Sequence, residues 1–129
     1  MAPATVLLID SDVDSINIYT LILKHHGYSV IHARDPEDGL RLAVEEKPAV
    51  VVSELFLPPL TGTSLVDRLK ADRRVAETPL IILDSTPEHA AALVEEYPSL
   101  NRLRKPCEPS RLLQEVQRIL EPTRKSAPD

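Results

Sequence analysis

The chain has 129 residues, enough for a single domain with one hydrophobic core. Its formal net charge of -5 argues against sequence-independent binding to nucleic acid, which requires a basic surface. The amino terminus lacks the pattern of a signal peptide, no apolar run approaches membrane-spanning length, and the single cysteine, Cys107, cannot form an internal disulfide. We therefore expect a cytoplasmic domain that binds neither nucleic acid nor membrane.

Five short apolar runs predict β-strands, separated by segments with helical periodicity. The runs are TVLLID, YSVIHA, AVVVSE, PLIILD and LNRLRK, at residues 5–10, 28–33, 49–54, 79–84 and 100–105. The first and third are apolar almost throughout, which is typical of central strands covered on both faces, whereas the fifth alternates leucine with arginine, as an edge strand does. This alternation of strands and helices predicts a parallel sheet with crossover helices.

Local signals indicate where the helices begin and end. The first predicted helix has apolar residues at three- and four-residue spacing and a glycine that can terminate it: Val13, Ile16, Tyr19, Leu23 and Gly27. Each later helix begins at a proline or a capping side chain: Asp35-Pro36, Thr63, Thr86-Pro87 and Glu108-Pro109.

These elements predict an α/β fold of the flavodoxin-like, doubly wound (βα)5 type, with a five-stranded parallel sheet in the order 2-1-3-4-5. We expect the domain to occupy residues 1–121. Residues 122–129 are polar and contain two prolines, which is typical of a tail or the start of a linker. In such a sheet ligands bind at the carboxyl ends of the first and third strands, where Asp10 and Glu54 lie.

Four ionisable side chains stand at strand ends that should share one edge of the sheet: Asp10, Glu54, Asp84 and Lys105. Any one of them alone could be a solvated strand end, but four together favour a functional or formerly functional pocket. Three carboxylates and one ammonium group also predict that at least one carboxylate has a raised pKa or that a cation binds there.

Other kinds of site are disfavoured. The sequence contains neither G-x-G-x-x-G nor G-x-x-x-x-G-K-[ST], and the turn DSDVDS is acidic where a phosphate-bearing cofactor would need donors. The four histidines are scattered and are interpreted as surface residues: His25, His26, His32 and His89. A hydrolase built on the carboxylate cluster lacks an identifiable pair of nucleophile and base.

Four motifs, taken in order, resemble the receiver domain of bacterial two-component response regulators. They are VLLIDSD, HHGYSV, PAVVVSELFLPPLTG and RKPCEP, and the resemblance runs from about Thr5 to Leu120. Members of that family accept a phosphoryl group on an aspartate that ends the third strand, with Mg²⁺ held by that aspartate and an acid pair after the first strand. A hydroxyl and a lysine contact the phosphoryl oxygens. The resemblance implies the same location for a pocket here.

Some residues match that family pattern and others depart from it. Asp10 matches the first acid of the pair, and Lys105 matches the lysine, followed by Pro106, which in the family lies in a cis bond. The departures are Ser11 for the metal-binding acid, Glu54 for the phosphoacceptor, Asp84 for the hydroxyl residue and Arg102 for the switch aromatic.

The departures disfavour aspartyl-phosphate chemistry. Glu54 carries its carboxylate one methylene further, Ser11 removes a metal ligand, and Asp84 places negative charge where the phosphoryl group would arrive. We therefore predict a pseudo-receiver that is not an enzyme and serves as a protein-interaction module. The alternative is an atypical, Mg²⁺-dependent receiver in which Asp10 and Glu54 are the remaining metal ligands; no other cofactor is expected.

Glu54 itself has two interpretations. It either pairs with Lys105 and fixes an activated-like state without phosphate, or it is a drifted residue in a partly exposed ion pair of little energetic value. Both interpretations remain open from the sequence. Arg102 is expected to prefer solvent, so the two-state switch of the family is expected to be lost.

In the family, partners bind a surface formed by the fourth helix, fifth strand and fifth helix. Here that surface has a mixed-charge set of side chains: Glu95, Glu96, Tyr97, Arg102, Arg104, Arg111 and Arg118. We expect a signalling partner to bind there, either a histidine kinase, an output domain or another regulator, and a homodimer is left open. Phe56, Leu57 and Leu60 are expected to cover the pocket or to meet a partner.

Overall fold

The structure is a computed structural model that describes residues 3–57, 60–84 and 87–121, with the backbone alone for residues 56–57, 60–64, 87 and 89. In chain order the elements are β1 (Thr5–Ile9), α1 (Val13–His25), β2 (Ser29–Ala33), α2 (Pro36–Glu46), β3 (Val50–Glu54), β4 (Phe56–Leu57), β5 (Leu60–Thr61), α3 (Gly62–Ala71), β6 (Leu80–Asp84), α4 (Pro87–Glu96), β7 (Asn101–Arg104) and α5 (Pro109–Leu120).

Five parallel strands form the main sheet in the order β2-β1-β3-β6-β7. This is the predicted order 2-1-3-4-5, since β6 and β7 are the fourth and fifth strands of the main sheet. The strands β4 and β5 form a separate short antiparallel hairpin, which was not predicted from the sequence. The apolar strands β1 and β3 lie inside the sheet, and β7, in which only Leu103 is buried, lies at its edge. The predicted flavodoxin-like fold is confirmed.

The core has two layers because successive residues of a buried strand point to opposite faces of the sheet. Leu7 and Ile9 of β1 pack into the layer that includes residues of α2, α3 and α4. Val6 and Leu8 pack into the layer that includes residues of α1 and α5. Both faces of the central strands are therefore covered by aliphatic side chains, as their uninterrupted apolar sequences predicted.

Helix α1 confirms most of its predicted features. Ile16, Tyr19 and Leu23 are buried, whereas Val13, which was predicted to share one face of the helix with them, is 43% exposed. A step of three residues is shorter than a full turn, and Val13 consequently lies at the margin of the stripe that faces the core. The helix ends as predicted: Gly27 has a φ of 91°, in the left-handed region that favours glycine.

The starts of the other helices agree with the sequence signals except in α3. Asp35 caps α2 by accepting a hydrogen bond from the Asp38 backbone N–H at 2.9 Å. Helices α4 and α5 begin at Pro87 and Pro109. Thr63 lies inside the first turn of α3 and is not its cap, because Thr61 still pairs with Phe56 and the helix begins directly after it.

Two predictions fall on residues that are not described: the cap at Thr86 and the tail at residues 122–129. The positions of the Phe56, Leu57 and Leu60 side chains likewise lie outside the described part. Within residues 3–57, 60–84 and 87–121, no helix is long and apolar enough to cross a membrane.

Candidate functional site

The carboxyl ends of β1 and β3 lie side by side and place Asp10 and Glu54 at the same edge of the sheet. The Asp10 backbone N–H donates to the Ala33 carbonyl at 3.0 Å, so parallel pairing with β2 continues one residue beyond β1. At the far side, the Lys105 backbone N–H donates to the Asp84 carbonyl at 2.7 Å. Backbone hydrogen bonds thus fix the Cα positions of Asp10, Glu54, Asp84 and Lys105 at this edge of the sheet.

Lys105 connects two of the predicted carboxylates. Its Nζ lies 3.0 Å from Asp10 Oδ2 and 3.2 Å from Glu54 Oε1. The three side chains are largely enclosed, with exposed fractions of 17% for Lys105, 4% for Asp10 and 17% for Glu54. In this environment the ammonium group is screened little by solvent, and it neutralises part of the charge of both carboxylates.

Ser11 binds the remaining oxygen of Glu54. Both its backbone N–H, at 3.1 Å, and its Oγ, at 2.9 Å, donate to Glu54 Oε2. From the sequence, Ser11 was expected only to lack the metal-binding carboxylate, and its role as a hydrogen-bond donor was not predicted. The longer stem of Glu54 lets one carboxylate reach both Ser11 and Lys105, and we call these three residues with Asp10 the Glu54 cluster.

The pKa values in the Glu54 cluster follow from its burial. Burial raises the pKa of Asp10 above its ordinary 3.8, although the Asp12 N–H and Lys105 act against this, and the negative charge of Glu54 adds to the increase. Burial lowers the pKa of Lys105, but contacts with Asp10 and Glu54 outweigh it, so the net pKa is raised above 10.5. The prediction of at least one carboxylate with a raised pKa is confirmed for Asp10.

Asp84 is bound to Arg102, and no contact joins its carboxylate to the Glu54 cluster. Arg102 Nε donates to Asp84 Oδ2 at 2.8 Å, and Asp84 is completely buried. The Arg102 side chain is 37% exposed, as predicted, but its ion pair with Asp84 was not predicted; a buried carboxylate is too costly to leave without a cation. Arg104 is the residue opposite Asp84, so Arg102 lies two residues away on the same face of the sheet. Opposite charges at such diagonal positions are the signal that could have revealed the pair.

One oxygen of this ion pair has no partner. Asp84 Oδ1 is buried, and no hydrogen bond reaches it among the residues that the structure describes. Arg102 therefore compensates only part of the cost of burying the carboxylate. The pair holds the two positions that correspond to the hydroxyl and the aromatic residue of the family's switch.

The donor set does not fit the magnesium site that the family implies. Mg²⁺ requires oxygen ligands in near-octahedral geometry, and only Asp10 and Glu54 offer carboxylates here. Each of their four oxygens already accepts a hydrogen bond, from the Asp12 N–H, Lys105 or Ser11. Among the described residues, no three His, Cys, Asp or Glu side chains are close enough together to hold a metal ion.

A groove of about 460 Å³ lies beside the Glu54 cluster, between α1 and the segment that follows β7. Two residues predicted for the pocket, Lys105 and Pro106, contribute to its lining, and the bond between them is cis. The Tyr19 hydroxyl donates to the Cys107 carbonyl at 2.9 Å and joins its two sides. The other lining residues are Asp12, Ser15, Ile18, Tyr19, Cys107 and Pro109. The groove therefore runs along α1 and excludes Asp10, Ser11, Glu54 and Asp84.

The surface of α4, β7 and α5 has the mixed charge that the sequence predicted. Arg118 is bound to Glu115 and, at 2.7 Å, to Asn101 Oδ1, which ties α5 to β7. Tyr97, just after α4, donates to Asp67 Oδ1 of α3 at 2.6 Å. Arg104 is exposed and makes no ion pair with any residue that the structure describes.

The family follows from a direct comparison of sequences. The sequence model of the response regulator receiver domain matches residues 6–117. The chain belongs to this family. Receiver domains act in signal transduction.

Individual relatives agree with this assignment. The chain is 27% identical over 118 residues to protein PilH of Pseudomonas aeruginosa and covers 91% of its own length and 98% of PilH. It is 33% identical over 122 residues to the transcriptional regulatory protein GlrR of Escherichia coli, of which it covers 27%. It covers 6% of histidine kinase P4 of Formosa agariphila and 32% of the DNA-binding regulator RpaA of Synechocystis.

Solved structures support the same fold. The chemotaxis response regulator CheY4 of Vibrio cholerae superposes with a TM-score of 0.82 and 27% identity, covering 92% of this chain and 99% of that chain. A response regulator from Chloroflexus aurantiacus gives a TM-score of 0.81 at 26% identity, covering 92% of this chain and 98% of that chain. The family and the fold predicted from the motifs are therefore confirmed.

Proposed function

We propose that this receiver domain acts as a protein-interaction module in signalling without being phosphorylated at Glu54. The observation that carries the proposal is the set of contacts at the Glu54 carboxylate. Lys105 binds one of its oxygens and Ser11 donates twice to the other. A carboxylate that is bound on both oxygens, with no metal ligand set beside it, is poorly prepared to attack a phosphoryl group.

Charge also acts against phosphoryl transfer. A phosphoryl group arriving at Glu54 would bring further negative charge to a site where Lys105 already faces Asp10 and Glu54. The charge of the moving group must be neutralised for transfer to proceed, and Lys105 is the single cation of this cluster. Exposed Arg34 contacts the Ser11 carbonyl at 3.4 Å and not the Glu54 carboxylate. We propose that the domain works without Mg²⁺ and does not catalyse its own modification.

The same contacts support a fixed conformation. The Glu54–Lys105 pair joins the end of β3 to the segment after β7, and this contact supports our proposal that Glu54 is a mimic. The Asp84–Arg102 pair holds both switch positions, so Asp84 is engaged by Arg102 and not by the Glu54 cluster. We therefore infer that the two-state switch is lost and that the partner surface is displayed continuously.

The partner is proposed to be a signalling protein that binds the surface of α4, β7 and α5. Exposed Arg104 and the mixed charges around it suit a polar protein interface. Receiver-like segments occur within histidine kinase P4 and the regulator RpaA, so a histidine kinase, an output domain or another regulator is the class of partner proposed. We propose no contact with nucleic acid or membrane through this domain.

The test is incubation with a small acyl phosphate and Mg²⁺, followed by intact-mass measurement. The wild-type chain is expected to keep its mass. The triple variant with Ser11→Asp, Glu54→Asp and Asp84→Thr restores the family residues and is expected to gain a phosphate-sized increment, which shows that the assay works. An increment in the wild type that disappears in Glu54→Gln would establish the alternative, an atypical Mg²⁺-dependent receiver.

A further inference from the structure

One side of α1 carries a stripe of four exposed residues, which we call the α1 stripe. Asp14, Ile18, Leu21 and His25 follow one another at steps of four, three and four residues, so their side chains lie along one line of the helix. Ile18 is 52% exposed and Leu21 is 74% exposed. Asp14 and His25, at the two ends of the stripe, are exposed as well.

The α1 stripe is not part of the surface that attaches α1 to the domain. Ile16, Tyr19 and Leu23 are buried, and Tyr19 and Leu23 pack in the layer shared with α5. Among the large hydrophobic side chains that the structure describes, Ile18 and Leu21 are more exposed than any other. Single exposed apolar residues are ordinary, but these two lie side by side between charged residues on one line of the helix.

The stripe is complementary to itself when its direction is reversed. A two-fold axis that crosses α1 between residues 19 and 20 sets Ile18 of one copy against Leu21 of the other, twice. The same axis sets the Asp14 carboxylate opposite His25 of the second copy, with the Lys24 ammonium next to it. Such an isologous contact closes on itself and leaves neither apolar residue without a partner.

We propose that a second copy of this chain docks on the α1 stripe and forms an antiparallel, two-fold dimer. The reversed direction also places the negative end of each helix dipole near the positive end of the other. Ile18 also lines the groove beside the Glu54 cluster, so one side of the stripe adjoins that groove. One helix face per copy makes a small interface, which implies a weak and transient dimer. The dimer does not depend on whether Glu54 accepts phosphate.

Sedimentation velocity over a rising series of protein concentrations tests the dimer. The wild type is expected to pass from monomer to dimer, and Leu21→Glu is expected to raise the dissociation constant at least about tenfold. The control is Gln114→Glu, which adds the same charge at an exposed position of α5 and should leave the dissociation constant unchanged. Ile18→Ser provides a second, milder variant, and circular dichroism establishes that each variant is folded.

A charge exchange tests the antiparallel register. Asp14→Lys sets a cation against His25 and Lys24 of the second copy, so it is expected to weaken the dimer. Combining Asp14→Lys with His25→Glu restores opposite charges across the axis in both copies and is expected to recover the affinity. A double variant no tighter than Asp14→Lys would overturn the register.

Two further results would overturn the dimer itself. One is a wild type that stays monomeric at every concentration. The other is a dimer whose dissociation constant is the same in the wild type, Leu21→Glu and Ile18→Ser. A monomer whose binding to a histidine kinase is lost in Leu21→Glu would assign the stripe to that class of partner instead.

Discussion

Ser11 donates two hydrogen bonds to a single oxygen of Glu54, from its backbone N–H at 3.1 Å and from its Oγ at 2.9 Å. One of these bonds belongs to the backbone and survives any substitution that keeps the turn. The other belongs to the hydroxyl alone. The contribution of the side chain can therefore be measured separately.

The first prediction concerns that hydroxyl. Ser11→Ala is expected to lower the free energy of unfolding by about 0.5–1.5 kcal/mol, because the partly buried Glu54 carboxylate loses one donor. Ser15→Ala is the matched control: its Oγ donates to Asp12 Oδ2 at 3.0 Å on an exposed surface, where water can replace it, and a smaller loss is expected. Urea unfolding measures both. Equal losses in the two variants would mean that Ser11 contributes nothing beyond an ordinary surface contact.

The second prediction concerns pH and Asp10. The pKa of this carboxyl is raised above 3.8 in the folded chain, so the folded state holds its proton more strongly than the unfolded state does. Its contribution to stability is therefore complete below pH 3.8 and is lost as the pH rises through the raised pKa. Asp10→Asn is expected to remove this decline. The unfolding free energies of Asp10→Asn and the wild type should follow the same course below pH 3.8 and separate as the pH rises through the raised pKa of Asp10.

Asp72 supplies the control for that experiment because its pKa is displaced in the other direction. The Arg74 side chain lowers the pKa of the Asp72 carboxyl to about 2. Its contribution is present above pH 3.8 and is lost as the pH falls through about 2. Asp72→Asn should therefore leave the slope above pH 3.8 as it is in the wild type. Parallel curves for Asp10→Asn and the wild type would contradict the role given to Asp10.

The third prediction concerns the Asp84–Arg102 pair. Arg102→Met leaves the buried Asp84 without its cation and is expected to lower the free energy of unfolding by about 1–3 kcal/mol. Arg104→Met, two residues along the same strand at an exposed position, should have little effect. Adding Asp84→Thr to Arg102→Met should recover much of the loss, since no buried charge then remains. A double variant less stable than Arg102→Met would show that the carboxylate is satisfied in another way.

The fourth prediction concerns Tyr97 at the partner surface. Its hydrogen bond to the Asp67 carboxylate raises the pKa of the Tyr97 hydroxyl to about 12, because ionisation would set two negative charges together. Asp67→Asn is expected to return this pKa towards 10.0. Ultraviolet absorbance titration, taken as the difference between each protein and the same protein with Tyr97→Phe, isolates the one hydroxyl. A titration unchanged by Asp67→Asn would exclude the contact between α3 and the end of α4.

Much of the fold could be predicted because it depends on patterns within short segments of the sequence. Uninterrupted apolar runs placed β1 and β3 inside the sheet, and Gly27 marked the end of α1. The contact of Lys105 with Glu54 could also be predicted, since Glu54 ends β3 and Lys105 follows β7 at the same edge of the sheet. Topology alone brings such residues together, whatever their side-chain conformations are.

The remaining contacts depend on geometry that sequence spacing does not contain. The pairing of Arg102 with Asp84 requires the register between β6 and β7, and register was not predicted. The donor role of Ser11 requires the orientation of one hydroxyl towards a carboxylate 43 residues away. Val13 is exposed because it lies at the margin of the buried stripe of α1, and three- and four-residue spacing does not show where that margin is. In each case the contact depends on strand register, on side-chain orientation or on the position around a helix, and residue identity alone does not determine it.

The contacts within the Glu54 cluster also make its members dependent on one another under substitution. Glu54→Asp by itself would withdraw the carboxylate by one methylene from both Ser11 and Lys105, which it now reaches. Ser11→Asp by itself would set another carboxylate directly against Glu54. Because the two side chains are in contact, the effects of the two substitutions are not expected to be additive. Ser11 and Glu54 therefore act as one unit, and we expect each single substitution towards the ordinary receiver residue to leave the domain less stable than the wild type.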